Sequence, residues 1–388
     1  MEENTNTEEN HGLTPDNQKN ENDNKFEGSN IKPQEITPPE PFSVPTADSL
    51  TENMMSKEIP AVPNQSFQFE SSLELGFVRE KVNEARKQAA NFIIGQEEMI
   101  DLLLIGIFTN GHILLEGVPG IAKTLSAKVL SKSLDTDFSR IQFTPDLMPS
   151  DILGTSVFNM KTSEFSFNKG PIFSNIILID EVNRAPAKTQ AALFEVMEER
   201  QVTFEGVKYE MEYPFLIIAT QNPVEQEGTY SLPEAQLDRF LFKVVLDYPT
   251  LEQEQEILNR YKNTSLAPDL SSISKVFSEA DLKKIQKLVT EIKIEDQLLS
   301  YIAKITHNTR NHAKLYLGAS PRASLAMAKA AKAMAAIRGR DFITPDDVQS
   351  VANHVLNHRI ILTPEAEMEG LSSKSVIEEI IHKIEVPR

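Results

Sequence analysis

The stretch Gly117-Val118-Pro119-Gly120-Ile121-Ala122-Lys123-Thr124 narrows the fold more than any other, because it stands between a short apolar run, HILLEG, and a helical run, LSAKVLSKSL, opened by Leu125. A glycine-rich turn in that setting closes backbone N–H groups around an anion at a helix N-terminus. The lysine then reaches further phosphate oxygens and the threonine hydroxyl can ligate Mg2+. Such a turn needs a strand feeding it and a helix leaving it, so it commits the surrounding chain to an α/β architecture. Ala122 stands where a second glycine is usual before the lysine, and it fits if that residue takes ordinary helical dihedral angles. The bland alternative is a Gly/Pro turn followed by a helix with a surface lysine.

The rest of the chain supports the α/β reading. SRIQFT (139–144), NIILID (175–180), FLIIAT (215–220) and FLFKVVL (240–246) alternate with helical stretches, as expected of a parallel sheet covered by helices. With 112–117 they make five candidate strands. SVFNMKTSEFSFNKGPI and QVTFEGVKYEMEY alternate like hairpins that turn near Thr162-Ser163 and Glu205-Gly206, and they read as insertions on the core. After Pro249 no strand signal remains, and helices are expected near 250–262, 279–293, 295–309, 320–339 and 344–357. Thr344 and Pro345 supply start signals for the last.

Composition sets the boundaries. Residues 1–70 hold 14 acids against 4 bases and 8 of the 22 prolines, a mixture that buries too little apolar surface to offset its ordering entropy. This predicts a disordered acidic tail over 1–70, an α/β core over 73–248 and a helical lid over 249–388. The first helix is expected to begin near Leu73, where Phe77, Val78, Val82, Ala85 and Ala89 recur at helical spacing. The net charge of -18 argues against nucleic acid, although the tail carries -10 of it. The case then rests on the hairpins, neither of which is a cationic stripe. With no cysteine there is no disulfide or thiolate nucleophile. The polar, acidic start is no secretory signal, and no apolar run reaches the roughly 18 residues of a membrane span, so a cytoplasmic location without membrane insertion is expected.

Asp180 and Glu181 end the apolar run 176–179, where a parallel sheet opens its ligand crevice. Asp180 suits a metal contact and Glu181 a base that orients water; a solvated strand end is the alternative. Asn222, in Gln221-Asn222-Pro223, can hold water or phosphate through its amide, or simply form a turn. Arg239, in EAQLDRF, is a candidate finger that neutralises transition-state charge, or half of a local pair with Asp238. Ser320 and Pro321 start a helix whose first turn carries Arg322, a poor place for a cation without an anionic partner such as a nucleotide phosphate. His354 and His358, four apart, read as lid packing rather than a metal pair.

Taken in order, GVPGIAKT, ILIDEVNRAP, ATQNP, EAQLDRF and GASPRA resemble the MoxR family of AAA+ ATPases over about residues 75–360. The resemblance implies a five-stranded AAA+ P-loop core with hairpin insertions at 155–173 and 201–213, followed by an all-helical lid. It implies that Lys123 and Thr124 bind ATP and Mg2+ with Asp180, and that Glu181 drives hydrolysis. Asn222 would be sensor 1, Arg322 sensor 2, and Arg239 a finger acting on a neighbouring subunit. Ile94-Gly95-Gln96 resembles the segment bordering adenine. A homo-oligomeric ring, usually hexameric, follows, with a chaperone-like role on a protein client, often beside von Willebrand A domain partners and sometimes in metal-cofactor insertion. A nucleic-acid motor and a nucleotide-gated scaffold with little turnover are the competing functions.

Overall fold

The computed structural model describes residues 74–161, 163–224, 228–262 and 269–387; the tail expected over 1–70 and Thr162 of the first hairpin turn lie outside them. The chain opens with α1 (Leu75–Ala90), whose Leu75, Val78, Val82, Ala85 and Ala89 form one buried stripe. In α2 (Glu97–Thr109), every residue from Leu102 to Thr109 is buried. A helix apolar on all sides has no 3.6-residue contrast to display, which is why no sequence period marks it. It stops at Asn110, a residue in the left-handed region that closes the last turn.

The phosphate-type turn joins β1 (Ile113–Glu116) to α3 (Lys123–Ser133), and β2 (Phe138–Gln142) follows. Next come α4 (Pro149–Leu153), the hairpin β3 (Gly154–Asn159) with β4 (Glu164–Lys169), β5 (Ile176–Asp180) and α5 (Ala187–Glu199). A second hairpin, β6 (Gln201–Phe204) with β7 (Val207–Glu210), leads to β8 (Leu216–Gln221), α6 (Glu234–Leu237) and β9 (Phe242–Val245). The five core strands pair in parallel in the order β2-β5-β8-β1-β9. Their side chains sort by alternation: Ile113, Leu115, Ile176, Leu178, Leu216 and Ile218 enter one apolar core, while Leu114, Ile177, Ile179, Ile217 and Ala219 enter the other. Phe167 of the first hairpin packs against Phe204 and Tyr209 of the second, with ring centroids 4.8 and 4.7 Å apart, so the two insertions share an aromatic contact.

Beyond the sheet lie α7 (Leu251–Tyr261), α8 (Glu279–Glu291), α9 (Asp296–Arg310), β10 (Leu315–Leu317), α10 (Pro321–Ile337), α11 (Pro345–Leu356), β11 (Ile361–Leu362), α12 (Pro364–Met368) and α13 (Ser373–Lys383). Side-chain oxygens of Thr250, Ser278 and Ser320 accept the N-terminal N–H groups of α7, α8 and α10. This corrects one expectation, that the region past Pro249 is entirely helical. β10 and β11 form an antiparallel pair there, too short to show a period-two pattern and made only because α11 returns the chain alongside Leu315 and Leu317. Among the described residues no helix is long and apolar enough to cross a membrane.

Candidate functional site

Parallel pairing carries the C-terminal ends of β1, β5 and β8 to one edge of the sheet, and a pocket of about 570 Å3 opens there. Its lining includes Gln96, Pro119, Gly120, Ile121, Ala122, Lys123, Thr124, Leu125, Asp180, Glu181 and Asn222, so most of the residues singled out in the sequence share one cavity. Three others support the pocket from just outside its lining. Gly117 accepts a hydrogen bond from Lys123 Nζ, and a Cβ there would come within 2.4 Å of Ile121. Val118 packs against the main core, and Gly95 turns the chain at a φ of +76°.

The loop itself corrects a second expectation. Ala122 takes φ +66° and ψ +16°, the left-handed region, rather than helical angles. With Gly120 at φ +90°, this turns the backbone twice within three residues. A residue with a Cβ is held there at a cost of about 1 kcal/mol, which the Ala122 carbonyl helps to offset by accepting the Ser126 N–H at 2.8 Å and the Ser126 hydroxyl at 2.9 Å. Lys123 Nζ also donates to the Gln221 carbonyl at 3.1 Å, which ties the loop to the end of β8.

The acids sit in a dense polar network. Asp180 is buried; its Oδ1 accepts from the Thr124 hydroxyl at 3.3 Å and the Thr220 hydroxyl at 3.2 Å, and its Oδ2 accepts from Arg140 Nε at 2.7 Å. Glu181 has φ +59°; its Oε2 accepts from Gln142 Nε2 at 3.0 Å and lies 2.8 Å from Arg184 Nε, an ion pair rather than an aligned hydrogen bond. Asn222 is buried, and its Oδ1 accepts the Val224 N–H at 3.2 Å, so the Asn-Pro turn and the pocket position coexist. Arg140, Gln142 and Thr220 line the pocket but were missed in the sequence, although Arg140 and Gln142 are polar at alternate positions of a strand end. Phe92, Ile93, Ile94, Ile257 and Tyr261 supply an apolar wall on the other side.

Arg239 and Arg322 lie elsewhere. Arg239 donates to the Phe194 carbonyl on α5, and Arg322 Nη2 donates to Glu198 Oε1 at 3.1 Å, one turn further along the same helix. In this structure Arg322 meets an acidic side chain of its own chain, Glu198, in an exposed pair. Nor does Asp238 pair with Arg239: its Oδ1 accepts from Arg359 Nε at 2.6 Å, and its Oδ2 from the Ser320 hydroxyl at 3.3 Å. A buried arginine desolvates at large cost unless every donor is used, and Arg359 also reaches the carbonyls of Asp238, Phe240, Leu241 and Val355. His354 and His358 have separate partners: His354, on α11, meets Glu98 Oε1 of α2 at 3.0 Å, and His358, just past α11, meets the Phe240 carbonyl ahead of β9 at 3.1 Å.

Known proteins resemble this chain over most of its length. The sequence pattern of the ATPase family associated with various cellular activities (AAA) matches residues 112–242, and that of the AAA lid domain matches 307–380. Protein YeaC of Bacillus subtilis is 44% identical over 295 residues, covering 76% of this chain and 91% of that protein. The chaperone MoxR1 of Mycobacterium tuberculosis is 41% identical over 310 residues, covering 78% and 81%. A crystal structure from Cytophaga hutchinsonii, described as that of a candidate ATPase, superposes with a TM-score of 0.74 at 46% identity, covering 81% of this chain and 97% of that one.

Proposed function

The chain belongs to the MoxR family of AAA+ ATPases, and from that premise we propose that it binds ATP in the 570 Å3 pocket, hydrolyses it, and uses the cycle to remodel a protein client. One observation carries the reading: Lys123, Thr124, Asp180 and Glu181, drawn from two strand ends, converge on that single cavity. The wall of Phe92, Ile94, Ile257 and Tyr261 suits an adenine ring. The N–H groups of the doubly turned loop and the start of α3 suit the phosphates. An anion there would draw Lys123 away from the Gly117 and Gln221 carbonyls.

Mg2+ fits the donor set, since the Thr124 hydroxyl and the Asp180 carboxylate are hard oxygens 3.3 Å apart and this ion takes few protein ligands beside water and phosphate. When bound, it would neutralise phosphate charge. Glu181 orients a water and accepts its proton as the water oxygen bonds to the γ-phosphorus; the bond to the bridging oxygen breaks and ADP leaves. Gln142 and Arg184 position that carboxylate. Asn222 completes the pocket edge.

Arg239 and Arg322 both attach to one face of α5, away from this subunit's own pocket, an arrangement that supports a finger offered to a neighbour in a ring, for which a hexamer is the stoichiometry to test. The first hairpin exposes Val157, Phe158, Met160 and Phe165, which favours an unfolded or apolar protein surface over nucleic acid. A partner carrying a von Willebrand A domain is the class to try first. Lys123→Ala is expected to abolish ATP binding, whereas Glu181→Gln keeps ATP bound and stops turnover. Wild-type hydrolysis by Glu181→Gln would remove Glu181 as the base.

A further inference from the structure

A second cavity, of about 710 Å3, lies between α2, α5, α8 and α10, and among the residues that line it the only charged ones are Arg200, Lys329 and Lys332. A lining whose charges are all basic runs against the balance of a chain with 57 acids and 39 bases. Two of the three have a partial structural explanation. Arg200, at the left-handed C-cap of α5, donates to the Asn110 carbonyl at the end of α2, and Lys332 donates to the Thr290 carbonyl in the last turn of α8 at 3.0 Å. Cations at helix C-termini offset the carbonyl ends of the helix dipoles.

That explanation leaves a residue over. Lys329 stands in the middle of α10, far from any helix end, and makes no hydrogen bond or ion pair with the described residues. Lys329 is exposed at the cavity mouth, yet desolvation by the surrounding protein, reinforced by the Arg200 charge, holds its ammonium below the usual lysine range, and burial likewise lowers Arg200. Arg200 uses one Nη in its bond to Asn110, leaving further guanidinium N–H groups for another acceptor. Arg200 and Lys329 repel one another with no carboxylate between them in the lining, and an anion seated there removes the repulsion while accepting charge-assisted hydrogen bonds.

We propose that this cavity is a binding site for a small multivalent anion, a phosphate ester or a polycarboxylate, held by Arg200, Lys329 and Lys332 with its uncharged part against Phe108 and Val289. Since α2 and α5 flank the sheet whereas α8 and α10 belong to the helical region beyond it, such a ligand bridges the two.

The test uses the full chain carrying Lys123→Ala, so that the loop of the first pocket does not take up the probes. Pyrophosphate and citrate are titrated separately by calorimetry, against potassium chloride of matched ionic strength. At least one is expected to bind, and adding Lys329→Ala is expected to weaken that binding tenfold or more, as removal of one charge-assisted contact does. Binding of pyrophosphate alone assigns a phosphate ligand, and binding of citrate alone a carboxylate. Binding of neither, or an affinity unchanged by Lys329→Ala, overturns the site. Retention of ATP binding by Lys329→Ala in the chain with Lys123 intact shows that the substituted protein is folded.

Discussion

Arg140 Nε stands 2.7 Å from Oδ2 of Asp180, the carboxylate whose other oxygen faces the Thr124 hydroxyl. A guanidinium therefore occupies one side of the acid proposed to face Mg2+. The pair is uneven in exposure, since the arginine side chain is 47% exposed and the aspartate 8%. Arg140 can swing into solvent, whereas Asp180 cannot.

If the two cations compete for one carboxylate, removing the guanidinium should favour the metal. Arg140→Ala is expected to lower the Mg2+ concentration giving half-maximal ATP hydrolysis by roughly threefold to tenfold, the span of one partly screened charge contact. A steady-state Mg2+ titration at fixed ATP checks this. An unchanged or higher requirement would mean that Arg140 serves the nucleotide rather than guarding the acid.

The left-handed Ala122 makes a prediction about shape alone. Ala122→Gly relieves the Cβ strain and is expected to preserve nucleotide affinity, whereas Ala122→Val, β-branched and disfavoured at positive φ, should cost about 1–2 kcal/mol of stability and weaken ATP binding. Denaturant unfolding with and without ATP separates the two effects. Equal behaviour of the glycine and valine variants would show that the loop relaxes out of this conformation.

Arg359 and Arg239 provide a contrast between neighbouring roles. Arg359→Met leaves Asp238 and several carbonyls unsatisfied beneath α11 and should cost about 3–5 kcal/mol in unfolding free energy. Arg239→Ala loses one bond to the Phe194 carbonyl and should cost about 1 kcal/mol while abolishing most ATPase activity. Mixing Arg239→Ala with Glu181→Gln subunits should restore hydrolysis at shared interfaces; no rescue at any ratio counts against a finger acting in trans.

Acid should destabilise the protein through His112. Its ring is fully buried, donating from Nε2 to the Met197 carbonyl and accepting the Ile217 N–H at Nδ1, and burial, then the charges of Arg200 and Lys329, push its pKa down to about 3. The folded histidine stays neutral while the unfolded one takes a proton below about pH 6.5, so stability falls between those two values as the pH drops. The loss approaches about 1.4 kcal/mol per pH unit for this one group. His358, also depressed by burial, adds to it. Unfolding midpoints at several pH values should show a shallower acid slope in His112→Gln; identical slopes would mean that His112 is not the titrating group.

Much of the site could be read before any coordinate, because strand, turn and helix are local patterns and parallel pairing brings every strand's C-terminal end to one edge. Once HILLEG, NIILID and FLIIAT are strands of one sheet, Lys123, Asp180 and Asn222 become neighbours with no further information. The short β10–β11 pair and α2, buried on every side from Leu102 to Thr109, escaped because neither carries a periodic contrast.

What the sequence by itself determined, then, is the order and type of the main elements and the loop that binds them into one pocket. Only the tertiary structure decided how the charges are partnered. Arg140 reaches Asp180 across 40 residues, Arg322 reaches Glu198 across 124, and Arg359 takes Asp238 across 121 in place of the adjacent Arg239. Periodicity shows which side of an element is buried, but a buried charge takes whichever opposite group packing brings within about 3 Å, and that depends on how elements distant in sequence lie against one another.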